Sequence, residues 1–157
     1  MQEQLIWPTF SASQFFRDYA KRHSLSLESA EEQNDRLTKK VDLRMQQMLQ
    51  GKGNLIVEGW MAGIMGENNP EVLRVLLTCD DEVRIKRFAA REKVSLTEAM
   101  ENVKAREKNL FSVLESIYHR NDFTEPKNYN FVVDTTSLTP QALVQKVLDK
   151  LDIKPNN

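Results

Sequence analysis

Only one cysteine, Cys79, occurs in the 157 residues, so the chain can form no internal disulfide and no thiolate metal site from it alone. Following an apolar run, Cys79 reads as a small buried residue. The two histidines, His23 and His119, are far apart and have no metal-ligand spacing around them. His119, within Tyr118-His119-Arg120, reads as an exposed helix end. No apolar run approaches the ~20 residues needed to span a bilayer. Met1-Gln2-Glu3-Gln4-Leu5 lacks the basic and apolar regions of a signal peptide. Charge of one sign is lacking too. A net charge of −1 gives no overall positive field to attract a nucleic acid polymer or an anionic membrane. Internal repeats and low-complexity tracts are absent. What remains is a single domain, 40% hydrophobic and 29% charged, large enough for a real core and expected in the cytoplasm.

What is present alternates between two periods. Ser11 to Arg22 reads as a helix with Phe15, Phe16 and Tyr19 inward, and Ser26 as the cap of a short helix carrying Glu28, Glu31 and Glu32. From Asn34, apolar residues Leu37, Val41, Met45, Met48 and Leu49 recur at helical spacing until Gly51. Leu55 to Val57 is the first clear strand, and Val72 to Leu77 the second. A helix then begins at Asp80 or Asp81 and runs to about Glu92. Ser95-Leu96-Thr97-Glu98 is a capping box opening a long helix whose expected buried stripe is Leu96, Met100, Val103, Leu110, Leu114 and Ile117. Phe131 to Val133 is a third strand. Thr139-Pro140 starts the last helix, with threonine as cap and proline in the first turn, and the tail after Ile153 is expected to fray. Strands separated by helices imply crossover connections and a parallel sheet. The fold class is α/β.

Two features carry chemistry. The first is Asn54 to Gly59, an apolar run that closes on a carboxylate and a glycine. Such a run reads as a strand buried on both faces, and its end lies at the carboxyl edge of a parallel sheet, where open α/β folds bind ligands. Glu58 there suits a magnesium-bound water or a sugar hydroxyl, and Gly59 allows the backbone close to a ligand. The plainer alternative is a strand end whose glutamate caps the next helix. The second feature is a set of cations. Arg84, Lys86, Arg87 and Arg91 share one helix, with Arg87 and Arg91 four apart; Lys104, Arg106 and Lys108 follow on the next, and Arg17 lies in an aromatic helix near the start. Guanidinium groups so placed suit phosphate oxygens. The competing reading is a solvated face paired with Glu82, Glu92, Glu101 and Glu107.

The series Ser11 with Phe16-Arg17-Asp18, then Leu55-Ile56-Val57-Glu58-Gly59 with Ala62-Gly63, resembles the cytidylate kinase group of nucleoside-monophosphate kinases. The likeness continues through Glu82-Val83-Arg84-Ile85-Lys86-Arg87-Phe88-Ala89-Ala90-Arg91-Glu92, Lys104-Ala105-Arg106-Glu107, Ile117-Tyr118 and Tyr129 to Thr136. It covers the chain from about residue 5 to 150. The resemblance implies a three-layer P-loop-kinase-like fold, a parallel sheet flanked by helices, over residues 1–157. Residues 11–50 would be the monophosphate-binding segment and 87–121 lid-like helices. It also implies transfer of the ATP γ-phosphoryl to CMP or dCMP with Mg²⁺. Ser11 and Arg17 would bind the acceptor, with Glu58 and Gly59 beside its phosphate and the magnesium water shell. Arg87 would flank the ATP base, Arg91 and Arg106 would neutralise phosphates as the lid closes, and Thr135, Thr136 and Ser137 would border the adenine. Asp35 either faces solvent with Glu31 and Glu32 or touches the acceptor's sugar or base. No residue is assigned as a direct metal ligand.

Departures from that family matter equally. No G-x-x-x-x-G-K-[ST] occurs; Gly51-Lys52-Gly53 is too short and precedes a strand. The first strand, phosphate loop and helix of the family would all precede Ser11, so an N-terminally incomplete domain with unpaired strand edges is expected. Trp60 and Val113 stand where the family usually has arginines, and Lys108 or Arg120 lack the right spacing to substitute. Trp60-Met61 reads either as a base-stacking platform or as packing beneath the monophosphate segment. Three expectations follow: a kinase crippled by the absent loop, a non-catalytic nucleotide-binding relative, or a subunit that pairs through its sheet edge and basic helices. The molecule is otherwise expected to be a monomer.

Overall fold

A computed structural model describes residues 7–25 and 35–152. The helix expected from Ser26 and the tail from Ile153 lie outside these residues. Four short strands alternate with helices: β1 (Thr9–Ser11), α1 (Ala12–His23), α2 (Asp35–Leu49), β2 (Ile56–Glu58), α3 (Ala62–Met65), β3 (Val75–Thr78), α4 (Asp81–Glu92), α5 (Leu96–Tyr118), β4 (Phe131–Asp134) and α6 (Pro140–Lys150). Both strand pairings are parallel, as the helical crossovers require. β1 pairs with β2 so that Ser11 stands opposite Glu58, and β3 pairs with β4 so that Thr78 stands opposite Asp134. The pairs form two separate sheets. Among the described residues, β2 and β3 therefore each keep one edge without a strand partner.

Most element ends follow from capping chemistry. Ser11, Asp80, Ser95 and Thr139 each accept a hydrogen bond from a backbone N–H in the first turn of α1, α4, α5 and α6. Pro140 takes the first turn of α6, where its missing N–H loses nothing. Three helices end on non-glycine residues in the left-handed region: Ser24 at φ 54°, Lys93 at φ 59° and His119 at φ 52°. His119 is thus the exposed helix end expected from the sequence.

The main core joins α1, α2, α3 and α5 through Ala12, Phe16, Val41, Met45, Met61, Ile64, Leu114 and Phe123. Beyond it, α4 and α5 pack together as a helical pair. Here the expected stripe is corrected. Val103, Leu114 and Ile117 are buried and Leu110 half-buried, but Leu96 is 55% and Met100 38% exposed, while Ala99 is fully buried. The later turns of α5 carry Leu114 into the main core, whereas its start lies along α4, where the buried residues are the small Ala89 and Ala99. Strand β1 had no counterpart in the sequence reading. Three residues are too few to show a period of two, and Ser11, read from the sequence as the first residue of the helix, instead ends the strand and caps α1.

Candidate functional site

The carboxyl ends of β1 and β2 meet the start of α1. Ser11 ends β1, caps α1 by accepting from the Gln14 amide at 3.1 Å, and donates to Glu58 Oε2. Ser13, within the first turn, donates to the same oxygen at 2.8 Å. Glu58 is therefore fixed by two hydroxyls beside a helix N-terminus, where the helix dipole favours a carboxylate. It does not cap the following helix, since α3 has no side-chain cap. Gly59 is needed for packing: a Cβ there would lie 2.9 Å from the Ala12 Cβ and 3.3 Å from the Met45 Sδ. The close approach at Gly59 is that of α1 and α2. Trp60, 43% exposed, meets the Phe111 ring edge-on with centroids 5.2 Å apart.

A second carboxylate, Glu92, ends α4. Arg91 Nε donates to Glu92 Oε1 at 2.7 Å in the last turn of α4, and the Arg91 guanidinium lies 5.3 Å from the Phe88 ring centroid. The Glu92 carboxyl is held below the usual range chiefly by that hydrogen bond; burial opposes it, and the charges of Arg91, Arg17 and Arg106 each contribute less than burial does. Arg17 comes from α1, Arg91 from α4 and Arg106 from α5. Three helices thus bring guanidiniums into the field of one anion. Arg84 ties α4 to α5 through Glu107 and also bonds Asp81 at 2.8 Å.

Arg87 is employed differently. Its Nη2 donates to the carbonyls of Thr135 at 3.0 Å and Thr136 at 3.1 Å, so it clamps the loop after β4. Thr135 donates its amide and hydroxyl to the Thr78 carbonyl, at 2.8 and 2.7 Å. Thr136 donates its hydroxyl to Asp134 Oδ1 at 2.6 Å and accepts from the Asp80 amide at 2.8 Å. The Thr136 hydroxyl and then its amide, which donates to the same Asp134 oxygen at 2.9 Å, hold the Asp134 carboxyl below its ordinary range. The ends of β3 and β4 and the start of α4 thereby form one hydrogen-bonded rim.

The family model described as the cytidylate kinase-like family matches residues 4–137. The chain belongs to the cytidylate kinase-like family. It is 29% identical over 156 residues to a cytidylate kinase of Methanobrevibacter smithii, covering 98% of this chain and 88% of that protein. It is 28% identical over 147 residues to a cytidylate kinase of Sulfolobus acidocaldarius, covering 92% and 80%. A crystal structure of an uncharacterized protein from Eubacterium ventriosum superposes with a TM-score of 0.68 at 14% identity, covering 98% of this chain and 87% of that one. The P-loop-kinase-like α/β fold agrees with this family and neighbour.

Within this cytidylate kinase-like chain, Ser11, Glu58 and Gly59 meet at one sheet edge, and Arg17, Arg91 and Arg106 share the field of Glu92. Arg87, Thr135 and Thr136 form a separate cluster on the loop after β4. Asp35 is the exposed first residue of α2. Arg120, considered as a substitute lid arginine, bonds Asp122 at 2.6 Å and Glu67 at 3.4 Å beyond the end of α5. Sequence reasoning missed Ser13, whose signal was its place two residues after the cap, where the first helical turn returns it to the sheet edge. The competing reading of a charged face paired with glutamates holds for three of them: Lys86 pairs with Glu82 at 2.5 Å, Arg91 with the exposed Glu92 at 2.7 Å, and Arg84 with Glu107.

Proposed function

We propose that the chain binds the phosphate of CMP or dCMP in the field of Arg17, Arg91 and Arg106, as acceptor of the ATP γ-phosphoryl with Mg²⁺. What supports this is membership of the cytidylate kinase-like family, together with Glu92 bonded by Arg91 at 2.7 Å and within reach of the charges of Arg17 and Arg106 from two other helices. Each guanidinium presents a planar fork that matches phosphate oxygens. Phosphoryl transfer needs little covalent help; it needs in-line placement and neutralisation of charge on the transferring group. Arg17 would hold the acceptor phosphate, while Arg91 and Arg106 neutralise charge and exclude water with the α4–α5 pair. Arg87 would act on the donor side, fixing the 135–138 loop against which the ATP base packs.

Among the described residues no group of three or more metal-ligating side chains occurs. Magnesium typically keeps several waters and takes one or two carboxylates plus substrate phosphates. Glu58 fits that demand, held by two serines through one oxygen only. Bound there through water, the ion would supply charge neutralisation at the nucleotide phosphates. The sequence contains no G-x-x-x-x-G-K-[ST] cradle for donor phosphates, so the 157-residue chain is expected to bind acceptor far better than it turns over. No helix among the described residues is long and apolar enough to cross a membrane.

Titration calorimetry with CMP, dCMP, UMP, AMP and cytidine, alongside a phosphoryl-transfer assay, tests the proposal. CMP or dCMP binding preferred over the other monophosphates, and absent for cytidine, is the expected result. No binding of any monophosphate by folded protein would reject it. A second reading, nucleotide binding without transfer, is favoured by Trp60, an aromatic residue where the resembled family usually has an arginine, packed edge-on against Phe111. Monophosphate binding with no transfer even at high protein concentration would select that reading.

A further inference from the structure

The hydrogens at the carboxyl edge of β1 and β2 can be counted. Ser11 and Ser13 each carry one hydroxyl hydrogen. Ser11 donates its hydrogen to Glu58 Oε2, and Ser13 donates its own to the same oxygen at 2.8 Å. The two hydroxyl oxygens also approach to 3.2 Å, but the shorter bond to a charged acceptor takes the Ser13 hydrogen. Ser11 Oγ in addition accepts the Gln14 amide at 3.1 Å as the cap of α1. Both hydroxyl hydrogens are thereby spent on one carboxylate oxygen. Among the described residues, neither Glu58 Oε1 nor Ser13 Oγ receives a hydrogen bond. These side chains offer acceptors only. They repel a bare phosphate oxygen and attract donors such as the waters around a divalent cation.

We infer that Ser13 is a positioning residue for Glu58: its hydroxyl holds Oε2 and so leaves Oε1 to the hydration shell of Mg²⁺. This deepens the reading of Glu58 given above and rests on it. Ser11 cannot have this role alone, because its hydroxyl also caps α1. Ser13 lies within the first turn and caps nothing, so its hydroxyl serves Glu58 alone. Glu58 is exposed at the end of a three-residue strand. A free glutamate there would lose rotamer freedom on meeting the ion, whereas one already held loses less. Magnesium keeps several waters and takes one or two carboxylates. One free carboxylate oxygen beside a hydroxyl acceptor matches that demand. Groups that orient a metal's ligand are typically worth about ten- to a hundredfold in affinity.

The test is electron paramagnetic resonance of Mn²⁺, which shares the preference of Mg²⁺ for octahedral oxygen ligands, at low salt and high protein concentration. Wild type, Ser13→Ala, Ser13→Thr and Glu58→Gln are titrated, with CMP binding in EDTA measured alongside by calorimetry. Wild type is expected to hold Mn²⁺, Glu58→Gln to lose it, and Ser13→Ala to hold it about tenfold more weakly. Ser13→Thr keeps the hydroxyl and should hold the ion more tightly than Ser13→Ala does. Thermal melts of Ser13→Ala should match wild type, because the Ser11 cap remains. Unchanged Mn²⁺ affinity in Ser13→Ala, an equal loss in Ser13→Thr, or no Mn²⁺ held by wild type would overturn the inference. So would a fall in melting temperature large enough to account for the lost ion. The two readings separate. Mn²⁺ held through Ser13 without any CMP binding keeps this role and rejects the acceptor reading. CMP binding in EDTA, with Mn²⁺ indifferent to Ser13, does the reverse.

Discussion

Asp42 puts a carboxyl group where water barely reaches, with only 5% of its surface exposed in the middle of α2. Burial pushes its pKa up to about 6, against the opposing effect of the hydrogen bond that Tyr118 donates at 2.6 Å. Burial, with the Asp42 bond next, also holds the Tyr118 hydroxyl above the usual tyrosine range. An acid whose folded pKa is raised favours folding below its unfolded pKa, and that contribution is lost as pH rises through the folded value. Asp42 should therefore stabilise the fold relatively below about pH 4, with the benefit gone above about pH 6. Asp42→Asn keeps an acceptor for Tyr118 and removes the ionisation. Urea melts should show it more stable than wild type by about 2 kcal/mol at pH 8, with little difference at pH 4. Wild-type stability at both pH values would refute this. Gly59 offers a second test at this scale. Its added Cβ would meet another Cβ at 2.9 Å, and neither can rotate away. Gly59→Ala should cost about 1–3 kcal/mol in thermal or urea melts. The glycine was legible in the sequence, but its reason was not, since the sequence cannot say which helix passes over it.

At the scale of elements, capping residues were read well because caps depend on chemistry within one turn. Ser95 and Thr139 act as the sequence indicates. Burial was read less well because it depends on what lies opposite. Leu96 and Met100 keep helical spacing yet face outward, and Ala99 takes the seam. Ala99→Leu should therefore destabilise by about 1–3 kcal/mol through overpacking. Met100→Ser should change stability by no more than about 0.5 kcal/mol. The reverse order in urea melts would restore the sequence-based stripe. Arg87 illustrates the same limit for polar contacts. Its partners are backbone carbonyls, which no side-chain pattern announces. Arg87→Ala should release the 135–138 loop, seen as faster amide exchange at Leu138, whose N–H bonds the Thr135 carbonyl at 3.1 Å. Unchanged exchange there would assign the clamp no structural weight.

Across the whole molecule, the order of motifs carried the family and the α/β class, because each motif marks a strand end or helix start whose sequence order sets the topology. Among the described residues the strands divide into the pairs β1–β2 and β3–β4. The sequence listed the cations of the site but not that the charges of Arg17, Arg91 and Arg106 all act on Glu92. That depends on the tertiary placement of α1, α4 and α5, with Arg84 and Glu107 joining the last two. The account therefore rests on Arg17, Arg91 and Arg106 acting as one phosphate site, with Arg87 apart from it. CMP affinity measured by calorimetry for each arginine replaced by alanine tests this most directly. Loss of one charged contact is expected to cost about 1.5–3 kcal/mol, tenfold or more, at each of the three. Arg87→Ala should stay within about twofold of wild type, since exposed groups away from a site change little. Wild-type affinity on losing Arg17 or Arg106, or an equal loss at Arg87, would contradict the account.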